Sequence, residues 1–306
     1  MKKFLLAAFA ALIGIFVYSN ILEIKSQIIR GFVGDTIASF RDHVSLGESH
    51  VITTIRDEKL PIVVSSHDGC VSKFIRMKGV WEPHVSEAVL KVVKPGNVVV
   101  EVGANYGYYT LKMAHRVGPT GKILSYEANP DVFRALRKSI VVNDFESRVI
   151  LSKKAVSDKA HEAFLVYNMG NVGGGYIVND PAKDFKKKCS SDPMCHSVDV
   201  TTLNEALSGV ENVHVLRMDA EGSEILILQG AERLLESSPD LTVVMEWDQS
   251  MMKRYGSIDS LINLLKRHNF THIWDINHKR HLSLKELSDT KLADVVLSRS
   301  PLQQFG

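Results

Sequence analysis

Short apolar segments alternate with amphipathic ones from about Trp81 to the end of the chain. The apolar segments are rich in β-branched residues, which is typical of buried strands. These predicted strands span residues 97–103, 122–127, 148–156, 213–219, 241–247, 272–277 and 293–300. Between them, helical spacing of apolar positions predicts helices at residues 107–117, 130–143, 223–236 and 257–270. This alternation predicts an α/β fold whose mostly parallel sheet is covered by helices on both faces.

The first 22 residues have a different pattern. Residues 4–22 form a run of 19 uncharged, mostly apolar residues that follows Lys2 and Lys3. About 20 apolar residues cross a bilayer as a helix, so this segment predicts a single-pass membrane anchor. The alternative is a cleaved signal peptide with its apolar region at residues 4–17, although no clear small-x-small cleavage site follows that region.

The segment between the anchor and the alternating pattern is mixed. Two β-branched runs at residues 51–57 and 60–66, bounded by Asp and Pro, predict two short strands. We therefore divide the chain into an anchor at residues 1–22, a linker with a small extension at 23–80, and one large domain at 81–306.

Charge and cysteine content narrow the possible partners. The net charge is +2, and no concentrated basic, aromatic-rich surface signal of a nucleic-acid-binding protein is present. Of the three cysteines, Cys189 and Cys195 lie six positions apart, and the low cysteine usage favours two unpaired thiols over a disulfide. A zinc site at Cys189, Cys195 and His196 would lack a second ligand pair. The oligomeric state is left open by the sequence.

A glycine-rich turn follows the first predicted strand of the large domain. It reads Glu101-Val-Gly103-Ala-Asn105-Tyr-Gly107 and leads into a helix. Gly103 and Gly107 allow a sharp turn and a close approach of the backbone to a ligand. The free N–H groups at the start of the following helix suit an anionic group such as a carboxylate. The motif is not G-x-G-x-x-G, so a dinucleotide fits it less well.

Two acidic residues follow the next strands. Glu127 ends the second strand, 24 residues after Gly103, where a carboxylate can accept hydrogen bonds from both ribose hydroxyls of a nucleoside. Asp158 follows the third strand, from where it could reach an adenine amino group. Asp is also a common turn residue, so Asp158 has a purely structural interpretation as well.

Three carboxylates follow the fourth strand within six residues, namely Asp219, Glu221 and Glu224. Close carboxylates raise one another's pKa and can act as a base or hold a metal. Glu224 also fits a helix start, which Asp219 and Glu221 do not. Glu246, near the end of the fifth strand, either anchors a loop or lines an acceptor pocket. No clear metal-binding cluster is present elsewhere in the sequence.

Residues 168–196 form a long segment, rich in glycine, that we predict to be irregular. Long loops inside a compact domain are usually functional or disordered. We therefore predict that this segment is a flap over a bound acceptor substrate. Its run of three lysines, Lys186, Lys187 and Lys188, could meet an anionic glycan or lipid headgroup. A solvated basic loop is the alternative.

These motifs, in this order, resemble the FkbM family of methyltransferases. The similar stretches are residues 98–114, 123–143, 198–207, 216–235 and 239–247, with a lead-in at 79–85. The resemblance covers roughly residues 79–250, and several motifs agree in order and spacing. The N-terminal anchor lies outside it.

The resemblance implies a class I, Rossmann-like methyltransferase fold with a seven-stranded sheet containing one antiparallel strand. It also implies S-adenosylmethionine as the methyl donor. By position, Glu101, Gly103 and Asn105 correspond to the methionyl side of the donor pocket and Glu127 to the ribose side. The family more often has Asp where this chain has Glu101, which is a mild chemical change.

The resemblance further implies methylation of a hydroxyl, on a small-molecule or glycan acceptor that includes sugars, lipid-linked glycans and secondary metabolites. Such a hydroxyl must lose its proton. Asp219 and Glu221 match the family's D-x-E-G motif and are the candidate catalytic residues, with His84 in the lead-in as the next candidate. Methylation of RNA or protein, and a non-catalytic membrane scaffold, are the alternative functions.

Charge alone does not orient the predicted anchor, because basic residues flank it on both sides, namely Lys2, Lys3, Lys25, Arg30 and Arg41. The donor is made in the cytosol. Donor supply therefore favours a membrane protein whose catalytic domain faces the cytosol.

Overall fold

The computed structural model describes residues 44–45, 49–179 and 183–305. The predicted membrane anchor at residues 4–22 and most of the linker lie outside the described residues. Among the helices that are described, none combines the length and the apolar character needed to cross a bilayer.

Fifteen strands and eleven α-helices follow one another along the described part of the chain. The strands are β1 (Val44–Ser45), β2 (His50–Ile55), β3 (Leu60–Ser65), β4 (Val98–Val102), β5 (Lys122–Tyr126), β6 (Val149–Ser152), β7 (Ala155–Val156), β8 (His161–Asn168), β9 (Asn171–Val178), β10 (Cys195–Thr201), β11 (Val215–Met218), β12 (Thr242–Asp248), β13 (His272–Asp275), β14 (Arg280–Leu282) and β15 (Leu292–Ser298). The helices are α1 (Val71–Lys78), α2 (Pro83–Val92), α3 (Tyr108–Val117), α4 (Pro130–Val142), α5 (Lys183–Cys189), α6 (Leu203–Ala206), α7 (Glu224–Gln229), α8 (Glu232–Ser237), α9 (Gln249–Met252), α10 (Ile258–Arg267) and α11 (Leu284–Asp289).

A central sheet of eight strands has the order β14-β13-β15-β12-β11-β4-β5-β6. The pairs from β12 through β11, β4 and β5 to β6 are parallel, whereas β15 is antiparallel to both of its neighbours. The predicted Rossmann-like sheet is therefore present, including the antiparallel strand β15. The predicted count of seven is one too low, because the short edge strand β14 adds a hairpin to β13.

Two apolar cores lie on opposite faces of the central sheet, as the alternation of strands and helices predicts. One contains Leu111 from α3 and Leu136 from α4. The other contains Ile227 from α7, Leu264 from α10 and the fully buried Trp247 from β12. Because successive residues of a strand point to opposite faces, Val99 and Val100 of β4 contribute one side chain to each core.

The extension before residue 81 packs onto the large domain. In β3, the amide N–H of Val63 donates to Ser139 Oγ at 2.8 Å, and the carbonyl oxygen of Pro61 accepts from Asn143 Nδ2 at 2.6 Å. Ile62 of β3 is fully buried within the same core as α4. The predicted boundary at residue 81 therefore does not separate two hydrophobic cores.

A second, four-stranded sheet has the order β7-β10-β8-β9. It replaces much of the irregular segment predicted at residues 168–196, since β9 pairs with β8 as a hairpin and the helix α5 follows. That prediction was wrong because the four glycines at 170 and 173–175 suggested a loop. The strand pairing of β9 supplies the backbone hydrogen bonds that such a segment needs.

Two predicted elements are each divided in two. The strand predicted at residues 148–156 becomes β6 in the central sheet and β7 in the second sheet. The helix predicted at 223–236 becomes α7 and α8, which meet at Gly230. A β-carbon at Gly230 would lie 2.2 Å from the carbonyl oxygen of Ser157, so the close approach of the loop after β7 requires glycine at this break.

Cys189 and Cys195 form a disulfide, so the expectation of two unpaired thiols was wrong. The two residues are the last residue of α5 and the first of β10, and their Cα atoms lie 5.2 Å apart. Both are buried, and the bond closes the turn between the helix and the strand. Cys70 is a free thiol.

Candidate active site

A cleft opens at the carboxyl ends of the parallel strands, at the position where the strand order of the central sheet reverses. At that position β4 is flanked by β5 on one side and by β11 on the other, and open α/β sheets bind ligands there. The cleft has a volume of about 130 Å³. Six carboxylates line it: Glu82, Glu127, Asp219, Glu221, Glu246 and Asp294.

The turn after β4 brings the ends of three strands together. Gly103 has a φ of +78°, and a β-carbon there would lie 1.9 Å from the carbonyl oxygen of Asp219. The amide N–H groups of Gly103 and Ala104 both donate to the carbonyl oxygen of Tyr126, at 3.0 and 3.1 Å. Glycine is therefore required at this point for two reasons, its backbone conformation and the lack of space for a side chain.

Glu127 holds this turn from the end of β5. Its Oε2 accepts the amide N–H of Asn105 and its Oε1 accepts the amide N–H of Asn129, both at 2.8 Å. Burial raises the pKa of Glu127 to about 7, and the two amide hydrogen bonds oppose that shift. A carboxylate has about four acceptor positions, so each oxygen keeps one position for a hydroxyl of a ligand.

Arg217 of β11 is a buried cation beneath the cleft. Its guanidinium donates to the carbonyl oxygen of Gly103 at 3.0 Å and to Asp219 Oδ2 at 2.8 Å, and lies 4.2 Å from the centre of the Tyr109 ring. Burial alone would lower the pKa of Arg217, but nearby negative charge, led by Asp219, raises it above its usual value. Arg217 is thus charged, and it fixes the position of the Asp219 side chain at the mouth of the sheet.

Glu101 lies behind the cleft rather than in its lining. Its side chain is fully buried, and it accepts hydrogen bonds from Thr110 Oγ1 and Ser125 Oγ. Its Oε1 lies 3.9 Å from Arg217 Nη1. Burial raises the pKa of Glu101, and Arg217 opposes that shift. Glu101 therefore supports the turn from below, which differs from the direct place in the donor pocket that the resemblance implied.

The carboxylates after β11 and in β12 share a crowded, partly buried region. Burial is the largest cause that raises the pKa of Glu221, Glu224 and Glu246, and the negative charge of Asp219 adds to it. The values for Glu221 and Glu224 are about 7. Glu224 Oε1 also accepts the amide N–H of Ala220 at 2.7 Å, in agreement with its predicted place at a helix start.

No group of three or more His, Cys, Asp or Glu side chains in the described ranges is arranged to hold a metal ion.

The hairpin of β8 and β9 lies directly over the glycine-rich turn. A β-carbon at Gly173 would lie 2.1 Å from Asn105 Nδ2, and one at Gly174 would lie 3.2 Å from Glu221 Oε1. Tyr255 donates its hydroxyl proton to the carbonyl oxygen of Ile177 at 3.1 Å and so ties β9 to the loop after α9. The hairpin therefore covers the cleft with backbone rather than with side chains.

Besides Glu101, three further predicted site residues lie away from the cleft lining. Gly107 has a φ of +90° and begins α3, where a β-carbon would lie 2.4 Å from Leu136 Cδ1. Asp158 follows β7 in the second sheet and accepts a hydrogen bond from Ser157 Oγ at 3.1 Å. His84 is 45% exposed, with its Nε2 3.8 Å from Asp294 Oδ2. None of the three lines the cleft, although Gly107 shapes the turn that does.

A sequence profile of the methyltransferase FkbM domain matches residues 101–271, which is more than half of the chain. The chain belongs to the FkbM methyltransferase family. The methyltransferase sdnD of Sordaria araneosa is 24% identical over 174 residues, which cover 50% of this chain and 67% of that protein. The 31-O-demethyl-FK506 methyltransferase FkbM of Streptomyces tacrolimicus is 25% identical over 203 residues, which cover 58% of this chain and 74% of that protein.

A solved structure of an S-adenosylmethionine-dependent methyltransferase from Aquifex aeolicus is 13% identical to this FkbM methyltransferase. The match covers 70% of this chain and 88% of that one, with a TM-score of 0.39.

S-adenosylmethionine is the methyl donor of this enzyme, and the cleft has groups that fit it. The donor carries a sulfonium cation and two ribose hydroxyls. Glu127 retains acceptor positions for hydroxyls, and the six carboxylates of the cleft suit a cation. No lysine or arginine is among the described residues that line the cleft, and the backbone N–H groups of Gly103, Ala104 and Asn105 already donate within the protein. The side-chain amides of Asn105 and Asn171, which line the cleft, are therefore the groups that can donate to the carboxylate of S-adenosylmethionine.

Several residues of the FkbM enzyme's cleft were not predicted. Glu82 is the N-cap residue of α2 and Asp294 belongs to the antiparallel strand β15, so neither follows a parallel strand of the central sheet. Arg217 lies just before the motif that contains Asp219 and Glu221. The sequence predicted a catalytic role for those two carboxylates and none for Arg217. The family-like lead-in at residues 79–85 contains both His84, the predicted candidate, and Glu82, whose side chain lines the cleft.

Proposed function

We propose that this FkbM methyltransferase transfers the methyl group of S-adenosylmethionine to a hydroxyl of a small-molecule acceptor, such as a sugar, a glycan, a lipid-linked glycan or a secondary metabolite. The observation that carries the proposal is the carboxylate of Glu127, which faces the cleft beside the Gly103–Asn105 turn. A relative named for methylating an oxygen, the 31-O-demethyl-FK506 methyltransferase, supports a hydroxyl acceptor.

The charge of the cleft supports a neutral or cationic acceptor over a nucleic acid. A phosphate backbone would meet the carboxylates of Asp219, Glu221, Glu246 and Asp294 without a compensating cation in the described lining. The lysine run at residues 186–188 is exposed on α5 and outside the cleft lining. In this proposal Gly173 and Gly174, which line the cleft, cover the acceptor, and the lysines do not.

In this proposal the protein mainly aligns the reactants, because displacement at a methyl group requires the attacking oxygen in line with the departing sulfur. The bound donor supplies an electrophilic methyl group. Gly103 and Asn105 hold its methionyl side and Glu127 its ribose. Asp219, fixed by Arg217 at 2.8 Å, and Glu221 face the acceptor side and position the hydroxyl.

Calorimetric titration of S-adenosylmethionine into the full-length protein tests the donor site. We expect Glu127→Gln to weaken binding at least about 30-fold, since it removes charge-assisted hydrogen bonds worth about 2 kcal/mol. Glu146→Gln, at an exposed position after α4, is the matched control and should bind as the wild type does. Wild-type affinity in a folded Glu127→Gln protein would contradict the proposed site.

We also propose that residues 4–22 attach the enzyme to a membrane. Donor supply favours a catalytic domain on the cytosolic side, whereas the Cys189–Cys195 disulfide is typical of an oxidising compartment. Protease protection in sealed vesicles separates the two orientations. Release of the intact protein by alkaline carbonate would contradict an anchor in the bilayer.

A further inference from the structure

Glu82 has an unusual backbone conformation for a residue of its type. Its φ and ψ are +40° and +66°, in the left-handed region, immediately before Pro83 and the helix α2. A residue with a β-carbon is seldom found in this region, and such outliers cluster at functional sites. Glu82 lines the cleft, so this conformation delivers a carboxylate to the acceptor side of the donor turn.

The side chain of Glu82 is oriented by a neighbour from another helix. The hydroxyl of Tyr109, in α3, donates to Glu82 Oε2 at 2.9 Å. The ring of Tyr109 lies 4.2 Å from the guanidinium of Arg217, which in turn holds Asp219. Tyr109 is itself buried, so its hydroxyl is a rigid support. A carboxylate has about four acceptor positions, and one hydrogen bond to Oε2 leaves the group able to accept a proton from a ligand.

The surroundings of Glu82 make its carboxylate a stronger base than an ordinary glutamate. Burial raises the pKa of Glu82 to about 7, and the negative charges of Asp219 and Asp294 add to this effect. Arg217 and the hydrogen bond from Tyr109 oppose it. A general base is most effective when its pKa lies near the working pH.

We propose that Glu82 is the general base that takes the proton of the acceptor hydroxyl, with Tyr109 as its positioning residue. This inference rests on the proposed hydroxyl methylation. The proton passes from the acceptor oxygen to the Glu82 carboxylate as the oxygen–carbon bond forms. The carbon–sulfur bond of the donor breaks, and its electron pair stays on sulfur.

Three other carboxylates of the cleft, those of Asp219, Glu127 and Glu221, are less suited to this role. Asp219 is already engaged by Arg217 at 2.8 Å, and both oxygens of Glu127 accept backbone N–H groups. Glu221 is the strongest competitor, because its pKa is also raised to about 7 by burial. It lies under Gly174 of the hairpin, and no hydrogen bond from a described side chain orients it.

The test compares the full-length wild type with Glu82→Gln, Tyr109→Phe and Glu221→Gln. Glu87→Gln, an exposed residue of α2 paired with Lys91, is the matched control. Each protein is given S-adenosylmethionine with a tritiated methyl group and a total polar and lipid extract of the host cells, and label transfer is measured from pH 5 to pH 9. Donor affinity is measured by calorimetry in parallel and confirms that each variant is folded.

We expect Glu82→Gln to bind the donor within about twofold of wild type and to lose label transfer by about 100-fold or more. We expect Tyr109→Phe to shift the acidic limb of the pH profile upward, because its hydrogen bond lowers the pKa of Glu82. Glu87→Gln should match the wild type in both measurements.

The inference would be overturned if Glu82→Gln binds the donor and keeps label transfer within threefold of the wild type. It would also be overturned if the acidic limb of the pH profile disappears in Glu221→Gln alone. A wild type that binds the donor and labels nothing contradicts the proposed function instead. An infrared difference spectrum of wild type and Glu82→Gln is a check that needs no acceptor. It should show a protonated carboxyl band that titrates near pH 7, and its absence would contradict the proposed base.

Discussion

Gly103 and Asp219 meet so closely that a β-carbon at Gly103 would lie 1.9 Å from the carbonyl oxygen of Asp219. This contact joins the ends of β4 and β11, which are separated by more than 100 residues in the chain. It also places the glycine turn after β4 beside Asp219 and Glu221 in the lining of the cleft. The glycine is thus a requirement of the fold as well as of the cleft.

Substitution of Gly103 by alanine should destabilise the protein strongly. The new β-carbon would collide with backbone, which cannot move aside cheaply, and φ is +78°. We expect a loss of about 4 kcal/mol or more in the free energy of unfolding, measured in urea. Gly209→Ala is the control, because Gly209 has a φ of +81° and open space. It should lose only about 1 kcal/mol, and equal losses would show that the collision is not decisive.

Replacement of Arg217 by methionine should leave two carboxylates without their cation. Glu101 is fully buried and lies 3.9 Å from this guanidinium, and removal of one partner of a buried pair costs about 3–5 kcal/mol. We expect a loss of that order in thermal or urea unfolding at pH 8. The double variant with Glu101→Gln should recover part of the loss. Failure of the second change to restore any stability would contradict the pairing.

The raised pKa of Glu224 predicts a pH-dependent stability. Burial raises this pKa from 4.5 in the unfolded chain to about 7 in the folded protein. Its contribution to stability is therefore fully present below about pH 4.5 and is lost as the pH rises through 7. Glu224→Gln removes this ionisation, so the stability of the variant relative to the wild type should improve by about 3 kcal/mol between pH 4.5 and pH 8.

Urea unfolding at several pH values measures this difference. Glu236→Gln, at an exposed position on α8, controls for the loss of one negative charge. A constant difference between Glu224→Gln and wild type across the pH range would show that Glu224 has the same affinity for protons in both states.

The disulfide predicts a specific pattern of thiol labelling. Without reductant and after unfolding, iodoacetamide should modify one cysteine, Cys70, and after reduction it should modify all three. Closure of a loop of six residues contributes about 2 kcal/mol, so the double variant Cys189→Ser and Cys195→Ser should be less stable by that amount. Intact mass spectrometry and urea unfolding measure the two effects. Three modified cysteines without reductant would contradict the bond.

Much of the fold follows from local pattern. Strand and helix periodicities predicted the parallel sheet because side chains alternate across a strand and repeat every 3.6 residues along a helix. Gly103, Glu127 and Asp219 were also found from the sequence, because residues that follow parallel strands meet at one edge of the sheet. The sequence did not predict the hairpin of β8 and β9 over the cleft. The glycine-rich strand β9 forms because it pairs with β8, which pairs in turn with β10, and its own composition does not indicate a strand.

The sequence by itself determined the methyltransferase family, the donor and the glycine turn after β4, because these depend on short motifs whose backbone conformation is local. Tertiary structure decided which side chains face the cleft. Glu82 reaches it from a helix before the sheet and is held there by Tyr109, while Glu101 turns into the protein and His84 lies toward solvent. Such placements depend on packing between elements distant in the chain, and no local pattern records that packing.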